Sequence, residues 1–396
     1  MTAGEALAPF DPLAGGPLGQ VREELARLRG GCPVHRAGPG PGFVGRHELV
    51  REALLDPGTL SNHGNFVLDD SGDDSGVGRH PLLITQSDPP AHTALRALLR
   101  PAFTRSAITG AAPWIRAIVD EILDGLPPGG PAEIVGDLAF PLTSRVIARL
   151  VGVPAADAGE ITRLSQEISD ALPAPFVGTP VWTRIEEYFA AAARERRAGP
   201  ATDDVIGLLA RGRVDGRALS DREVAFHAWQ VFVAGLKTTA FTIGSTVAQL
   251  LVDPGRWAAL VADPALVEGA REEGLRHATA LRGVLRTVGT PGDIGGEPVA
   301  AGERILLGLE SANLDESVFG ADAADFVLDR PTARRHLAFG SGIHHCLGAE
   351  LSRTEISCVL AALVERMPRL APAPGARTGD TDGAMFHEPG RVEVVW

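Results

Sequence analysis

The chain has 396 residues, and its 37 lysines and arginines against 50 acidic residues give a formal net charge of −13. This acidic balance, without any block rich in lysine or arginine, argues against nucleic acid as a partner. Cys32, Cys346 and Cys358 are widely spaced, which argues against a disulfide framework and favours a reducing compartment. The first twenty residues lack a basic start followed by an apolar run, so we expect no signal peptide or membrane anchor and a soluble, cytoplasmic protein.

The N-terminal part of the chain predicts short elements followed by a long irregular segment. An apolar stripe predicts a helix over residues 18–29, a strand is expected around residues 43–44, and a second helix over residues 47–55. Residues 57–87 are rich in glycine and aspartate and lack periodicity. A loop of that length inside a compact chain is usually functional or mobile.

The next segment places two basic side chains on one helical face. Asp88-Pro89-Pro90 predicts a turn that leads into a helix, and His92 and Arg96 lie four residues apart on that helix. This spacing fits two donors that bind one anion. An ordinary solvated face is the alternative.

Helical patterns continue over residues 106–125, 138–151, 155–172, 179–197 and 203–211. An apolar linker with two prolines, which contains Phe176, joins the third of these helices to the fourth. Core packing is one interpretation of this linker, and a second follows from the resemblance described below.

The longest predicted helix begins after Ser220, the expected N-cap, and Glu223 completes a capping box. It runs to about Leu251 and is apolar almost all round in its first half, so we expect it to cross the interior.

A short motif, Ala234-Gly235-Leu236-Lys237-Thr238-Thr239, interrupts the apolar part of this helix. Gly235 would let a flat group approach the backbone, because it removes side-chain bulk. Thr238 is placed to donate a hydrogen bond to the carbonyl of Ala234 and to bend the helix locally.

The C-terminal half contains an acid–arginine pair and several strands. Glu273 and Arg276, at i and i+3 of a helix, can form a charge-assisted pair. Residues 284–288 predict a strand that contains Arg286, and residues 303–307 predict another. The tail from residue 375 to residue 396 predicts a hairpin whose tip holds Met385 and Phe386.

One cysteine lies where a glycine-rich loop meets a helix. Gly340 and Gly342 permit positive φ angles, so this loop can fold tightly around a flat or bulky group. Apolar residues recur beyond the loop at helical spacing, at Ile356, Leu360, Leu363 and Met367. Cys346 is therefore expected at a helix N-terminus, where unpaired N–H groups stabilise a thiolate. A zinc site is disfavoured because His344, His345 and Cys346 are too close in sequence to complete a tetrahedron together.

The segment from Phe339 to Gly348 fills every fixed position of the pattern F-G-x-G-x-H-x-C-L-G. It resembles the haem-binding loop of the cytochrome P-450 family, whose iron takes a cysteine thiolate as its proximal ligand. The resemblance covers nearly the whole chain, with the motifs in the right order. It implies one catalytic domain over residues 1–396, a mainly α fold with smaller β-sheets, and a long central helix over the haem.

The resemblance also implies a role for each motif. Cys346 would bind the iron of haem b, Phe339 would shield its sulfur from water, and the loop around Gly340 and Gly348 would surround that sulfur. Two propionates would be bound by the four donors His92, Arg96, Arg286 and His344. Thr238 would help to deliver protons to oxygen, beside Ala234 and Gly235. Glu273 and Arg276 would form the family's structural pair, with Arg330 as a third partner.

Lys237 stands where the family has a carboxylate that relays protons from solvent. In the simplest interpretation, Lys237 has no catalytic role: it points to the surface and pairs with an acid there, and water and Thr238 deliver the protons. The alternatives are altered oxygen chemistry, use of peroxide, recognition of an anionic substrate, and poor activity.

By resemblance, the irregular segment before Asp88 and the linker around Phe176 would border a substrate pocket. Its residues would be Phe66, Phe176, Leu236, Leu285, Met385 and Phe386. The implied activity is a monooxygenase that oxidises a small organic substrate, with hydroxylation as the expected reaction, in bacterial secondary metabolism such as antibiotic biosynthesis. A peroxide-driven or coupling enzyme, and a non-catalytic haem-binding recruitment protein, are the alternatives.

Electrons would come from NAD(P)H through ferredoxin reductase and ferredoxin, and the protein would be a monomer that contacts neither membrane nor nucleic acid. Five arginines would either form a cationic face for ferredoxin or be ordinary surface residues: Arg100, Arg105, Arg334, Arg335 and Arg353.

Overall fold

The computed structural model describes residues 18–36, 40–63, 65, 84–171, 176–376, 381–382 and 385–396. Its α-helices are α1 (Leu18–Arg29), α2 (His47–Leu55), α3 (Ala91–Leu99), α4 (Arg105–Asp124), α5 (Phe140–Val151), α6 (Ala155–Ala171), α7 (Pro180–Ala198), α8 (Val205–Arg211), α9 (Asp221–Val252), α10 (Pro254–Ala262), α11 (Val267–His277), α12 (Leu309–Asn313), α13 (Glu316–Phe319) and α14 (Ala349–Arg366). Its strands are β1 (Gly42–Val44), β2 (Leu60–Ser61), β3 (Ala132–Glu133), β4 (Arg213–Val214), β5 (Arg217–Ala218), β6 (Val284–Val288), β7 (Gly292–Ile294), β8 (Glu297–Val299), β9 (Arg304–Leu307), β10 (Ala371–Pro372), β11 (Thr381–Asp382), β12 (His387–Glu388) and β13 (Glu393–Val395). The fold is mainly α with small sheets, as predicted.

Helix α9 is the long axis around which the other helices pack. Ser220 caps its N-terminus, where the Ser220 hydroxyl accepts from the Glu223 N–H at 3.2 Å and Glu223 accepts from the Ser220 N–H at 2.8 Å. Its first half packs in one core with α3 and α5–α8, and its second half packs in another core with α4, α11 and α14. The polar residues from Lys237 to Thr239 lie between these two cores.

Helix α9 also has the length and apolar composition of a membrane span, but 72% of its apolar window is buried inside the fold. Its apolar side chains therefore face protein, as expected for a helix that crosses an interior.

The largest sheet positions a single arginine for the site. Its strand order is β1-β9-β6-β2, with β1 parallel to β9 and the other pairs antiparallel. Because side chains alternate across a strand, Leu285 and Arg286 of β6 point to opposite faces. Leu285 packs with Leu25 and Leu28 of α1, which leaves Arg286 on the other face.

Most predicted elements are confirmed, with one local difference. The helix predicted over residues 138–151 begins as α5 at Phe140, and a π-helix at Ile134–Ala139 precedes it. The C-terminal hairpin is present as β11 and β12, and Phe386 lies beside it in a β-bridge with Leu281. Most of the irregular segment predicted over residues 57–87 lies outside the described residues.

Candidate active site

The cysteine loop is a compact turn closed by backbone hydrogen bonds. The Cys346 N–H donates to the Phe339 carbonyl at 2.8 Å. Gly340 and Gly342 have φ angles of 66° and 70°, in the left-handed region that favours glycine. A Cβ at Gly342 would lie 2.6 Å from the carbonyl oxygen of Leu54. Both glycines are therefore required by the backbone path of the loop.

The thiol of Cys346 lies three residues before α14, close to the predicted position. Part of its side chain is exposed to solvent, and the rest is surrounded by protein atoms. Desolvation by these atoms raises the pKa of the thiol above its usual value. The Gly348 N–H and the charges of Arg96 and Arg353 lower that pKa by less. The helix N-terminus alone therefore does not produce the thiolate that the sequence predicted, whereas a coordinating metal deprotonates a thiol outright.

Four basic side chains from three separate elements converge beside this loop. The rings of His92 on α3 and His344 in the loop lie 4.0 Å apart between centroids. Arg96, one turn after His92, donates to the carbonyl of His345 at 2.7 Å. Arg286 of β6 donates to the carbonyl of Leu285 at 2.8 Å and is 4% exposed.

The described residues provide this cluster with no counter-anion in direct contact. Neither ring nitrogen of His92 has a partner, and Nε2 of His344 has none. Burial, then the charges of His92, Arg286 and Arg96, lower the pKa of His344 to about 3. Burial lowers the pKa of Arg286 to about 10. Because buried cations and orphaned donors are costly, this arrangement fits the binding of a large, multiply charged anion.

One side of α9 is open although the helix crosses the interior. Ala234 is exposed and Thr238 is half-buried, one turn apart, while their neighbours Leu236 and Thr239 are buried. Thr238 Oγ1 donates to the Ala234 carbonyl at 2.8 Å, as predicted. Thr239 Oγ1 donates to Ser352 Oγ of α14 at 3.1 Å, which ties this turn to the helix that follows Cys346.

Gly235 has a different neighbour from the one expected. A Cβ at this position would lie 2.9 Å from Cδ1 of Ile147 on α5. The space that the glycine opens is therefore filled by a helix–helix contact, and the prediction that it admits a flat group is corrected.

Lys237 points away from the open side of α9. Its Nζ pairs with a carboxylate oxygen of Asp170 on α6. The Lys237 side chain is 11% exposed and that of Asp170 is 66% exposed, so the pair joins the helix interior to the surface. This geometry matches the simplest interpretation of Lys237, in which it pairs with an acid.

The acid–arginine pair lies at the centre of a buried network. Arg276 donates twice to Glu273, both at 2.7 Å, and Arg330 donates to Glu273 at 3.1 Å. Arg276 also donates to three carbonyls, of Asn313, Ala323 and Asp325. All five guanidinium N–H bonds of Arg276 thus have acceptors, which ties α11 to the segment from Asn313 to Asp325.

Comparison with known proteins decides the family. The family model described as cytochrome P450 matches residues 179–383. A steroid C26-monooxygenase of Mycolicibacterium smegmatis is 32% identical over 385 residues, which cover 96% of this chain and 93% of that protein. The chain belongs to the cytochrome P-450 family.

Other P-450 relatives agree with this assignment. Cyclomarin C epoxidase of Salinispora arenicola is 32% identical over 82% of this chain and 83% of its own length. Among solved structures, the LnmA hydroxylase from the leinamycin pathway of Streptomyces atroolivaceus has a TM-score of 0.81 and 31% identity, with 100% of this chain and 99% of that one covered. The chain is accordingly a monooxygenase, and its family implies haem as cofactor.

The residues present fit the haem of a P-450. A haem carries two propionate anions, and the basic cluster of His92, Arg96, Arg286 and His344, which has no counter-anion in contact among the described residues, is suited to bind them. The single thiol of Cys346 beside this cluster is suited to bind iron. Within the described part of the chain, no cluster of three His, Cys, Asp or Glu could hold a metal ion by itself.

Half of the proposed substrate pocket has to be corrected. Phe176 is 3% exposed and packs among Trp182, Phe226 and Trp229, so it is a core residue. Leu236 is fully buried in that same core, and Leu285 faces α1. These apolar side chains find partners far away in sequence, which a local pattern cannot show.

The other pocket residues remain candidates or cannot be placed. Met385 and Phe386 are half-buried, and the Met385 carbonyl accepts from the Arg282 N–H at 2.9 Å. Phe66 lies outside the described residues.

Sequence reasoning missed two groups of residues near the site. Burial lowers the pKa values of His92 and Arg286, and the charge of Asp88 partly offsets this; Asp88 also accepts from the Asn62 N–H at 3.0 Å. Glu272 binds Arg353 and His336 behind the cysteine loop. In the sequence, Glu272 stands out only as a second glutamate directly before the E-x-x-R motif. Nothing in the sequence marks His336.

We expect Arg286→Met to weaken haem retention without harming the ligand-free fold. Loss of a hydrogen-bonded charge costs about 1.5–3 kcal/mol, so haem should transfer to apomyoglobin roughly 10- to 100-fold faster. Removal of a buried, unpaired cation should leave the thermal stability of the ligand-free protein equal or higher. Arg163→Met, at a surface pair with Glu167, is the control and should change neither quantity. Unchanged haem transfer in Arg286→Met would contradict the assignment.

Proposed function

We propose that Cys346 is the thiolate ligand of a haem b whose propionates are bound by His92, Arg96, Arg286 and His344. The observation that carries this proposal is a cluster of four basic side chains beside one thiol; the cluster has no counter-anion in contact among the described residues, and three of its imidazole nitrogens have no partner. When bound, a thiolate-ligated haem supplies the electron-rich iron at which dioxygen is cleaved. The protein's part is to orient the substrate, exclude water and position protons.

Thr238 is proposed to hold the proton that the reaction consumes next to the open side of α9. Its hydroxyl is available there because it donates to a backbone carbonyl of its own helix and retains its acceptor capacity. Phe339 would keep water from the Cys346 sulfur, and the Gly348 N–H would stabilise negative charge on that sulfur.

The reaction we propose consumes dioxygen, two electrons and two protons, and it places one oxygen atom in a small organic substrate and the other in water. NAD(P)H would supply the electrons through ferredoxin reductase and ferredoxin. Arg100, Arg105, Arg334 and Arg335 are exposed and are candidates for the docking face. We further propose that the protein is a cytoplasmic monomer and that residues 1–396 form one catalytic domain.

The substrate class we propose is a secondary metabolite of a bacterium. Relatives named as acting on such compounds support it, including the cyclomarin C epoxidase and the LnmA hydroxylase from the leinamycin pathway. The test is turnover with ferredoxin, its reductase and NADPH under labelled dioxygen, across compounds that shift the haem absorption. Product with one labelled oxygen atom is the expected result, and product formed only with hydrogen peroxide would overturn it.

Lys237 should have little influence on this chemistry, because its ammonium group pairs with Asp170. Lys237→Met should keep ferredoxin-driven turnover and the coupling of electron use to product within about threefold of wild type, since such pairs contribute about 0–1 kcal/mol. Asp170→Asn removes the same pair from the other side and is the matched control. A tenfold loss of coupling in Lys237→Met but not in Asp170→Asn would give Lys237 a role of its own in proton delivery.

A further inference from the structure

Phe339 separates the cysteine loop from a buried charged group. The carbonyl of Phe339 accepts from the Cys346 N–H at 2.8 Å, so the two residues are joined through the backbone. On its other side, the guanidinium of Arg353 lies over the Phe339 ring, with Cζ 4.7 Å from the ring centroid. This is cation–π geometry, and it places a full positive charge against the ring of the first residue of the cysteine loop.

Arg353 is held in this position mainly by Glu272, with a longer contact of 3.4 Å from its Nη1 to Glu350. Its Nε donates to Glu272 Oε1 at 2.9 Å and its Nη2 donates to Glu272 Oε2 at 3.2 Å. A bidentate pair of this kind fixes the plane of the guanidinium. The Glu272 side chain is 2% exposed, so its charge acts inside the protein with little screening by solvent.

Glu272 also orders the backbone that leads to Phe339. Its Oε2 lies 3.2 Å from Nε2 of His336, and Nδ1 of His336 accepts from the Ala338 N–H at 3.2 Å. The His336 and Phe339 rings lie 5.6 Å apart. One carboxylate therefore fixes both the arginine above the ring and the segment that carries the ring.

The charges of this group reach the sulfur. The Arg353 cation lies over the Phe339 ring, and the Phe339 carbonyl accepts from the Cys346 N–H, so the path from this charge to the sulfur runs through protein rather than solvent. Burial raises the pKa of Glu272, but donation by His336 and Arg353 outweighs it and lowers that pKa to about 2. Glu272 is thus an anion at any pH at which the enzyme works.

Ferredoxin docking does not explain this arrangement. The Arg353 side chain is 19% exposed and contacts Glu272 and Phe339. Arg334 and Arg335, which precede the cysteine loop, are exposed. A docking residue has to reach a partner, and Arg353 is directed inward.

We propose that Arg353 and Glu272 are positioning residues that set the reduction potential of the haem through Phe339 and the Cys346 sulfur. This inference rests on the proposed ligation by Cys346. Uptake of one electron from ferredoxin adds negative charge next to the sulfur, so a nearby cation favours the reduced form and a nearby anion favours the oxidised form. Removal of each partner should therefore shift the potential in opposite directions.

The test is a potentiometric titration of the haem-loaded enzyme with Arg353→Met and Glu272→Gln. Arg353→Met should lower the midpoint potential and Glu272→Gln should raise it, each by on the order of a three- to tenfold change in the ratio of oxidised to reduced enzyme at the wild-type midpoint. Arg163→Met, which removes an exposed arginine paired with Glu167, should leave the midpoint unchanged. Shifts in the same direction, or none, would overturn the inference.

Two further variants separate charge from packing. Arg353→Lys and Glu272→Asp preserve charge, so their midpoints should stay near the wild-type value even if the other variants disturb the loop. A shift in Arg353→Lys as large as that in Arg353→Met would show a packing effect and would also overturn the inference. If the wild-type carbonyl spectrum lacks a thiolate-ligated band, the proposed ligation by Cys346 fails. If that band is present without opposite shifts, only the inference about Glu272 and Arg353 fails.

Discussion

Cys346→Ser should abolish monooxygenase turnover, with a loss of at least about a thousandfold, or about 4 kcal/mol of transition-state stabilisation. The serine hydroxyl is nearly isosteric with the thiol, but it does not become an electron-donating thiolate ligand. The measurement is product formation with ferredoxin, its reductase and NADPH, at equal concentrations of folded protein.

The chain offers two matched controls for this substitution. Cys32 is exposed and far away in sequence, and Cys358 is half-buried on α14 with its Sγ 3.9 Å from the Ala112 carbonyl. Cys32→Ser and Cys358→Ser should each retain turnover within about twofold, as expected for substitutions that cost less than 0.5 kcal/mol. Turnover in Cys346→Ser comparable to that of these controls would remove the cysteine from the chemistry.

Arg276→Met should produce the largest loss of folding stability among the substitutions considered. Arg276 and Glu273 are both fully buried, and removal of the arginine leaves Glu273, among the described residues, with only Arg330 and the Val327 N–H as donors. It also takes the Arg276 donor from three backbone carbonyls, of which that of Asp325 keeps a second donor, from Arg330. Breaking a buried pair by removing one partner costs about 3–5 kcal/mol. Urea denaturation followed by circular dichroism should show this decrease in the free energy of unfolding.

The control for Arg276→Met is a surface pair with the same chemistry. Arg163→Met removes a pair between exposed side chains and should cost at most about 1 kcal/mol. Arg276→Lys keeps the charge but cannot serve every acceptor, so its stability should lie between those of wild type and Arg276→Met. A cost below about 1 kcal/mol for Arg276→Met would mean that the network is not structural.

Local chemistry explains why much of the fold followed from the sequence. The start of α9 is determined by Ser220 and Glu223, whose side chains each accept a hydrogen bond from the backbone N–H of the other. The cysteine loop depends on glycines at positions with positive φ, a region that most other residues adopt only with strain. Such features involve few neighbours, so a single sequence suffices to predict them.

The errors, and the alternatives that the sequence left open, concern contacts between distant segments. Gly235 packs against Ile147, and Lys237 pairs with Asp170, which precedes it by 67 residues. The sequence indicated that Gly235 and Lys237 were unusual but gave no means of finding these partners. Leu285 was misplaced for the same reason, because which face of β6 meets α1 is decided by tertiary packing.

The central claim is that the sulfur of Cys346 binds the haem iron. The most direct test is the absorption spectrum of the reduced carbonyl complex of the purified, haem-loaded wild-type protein. We predict the red-shifted band of a thiolate-ligated haem. A spectrum typical of an imidazole-ligated haem, or protein that stays colourless with ample haem, would contradict the account.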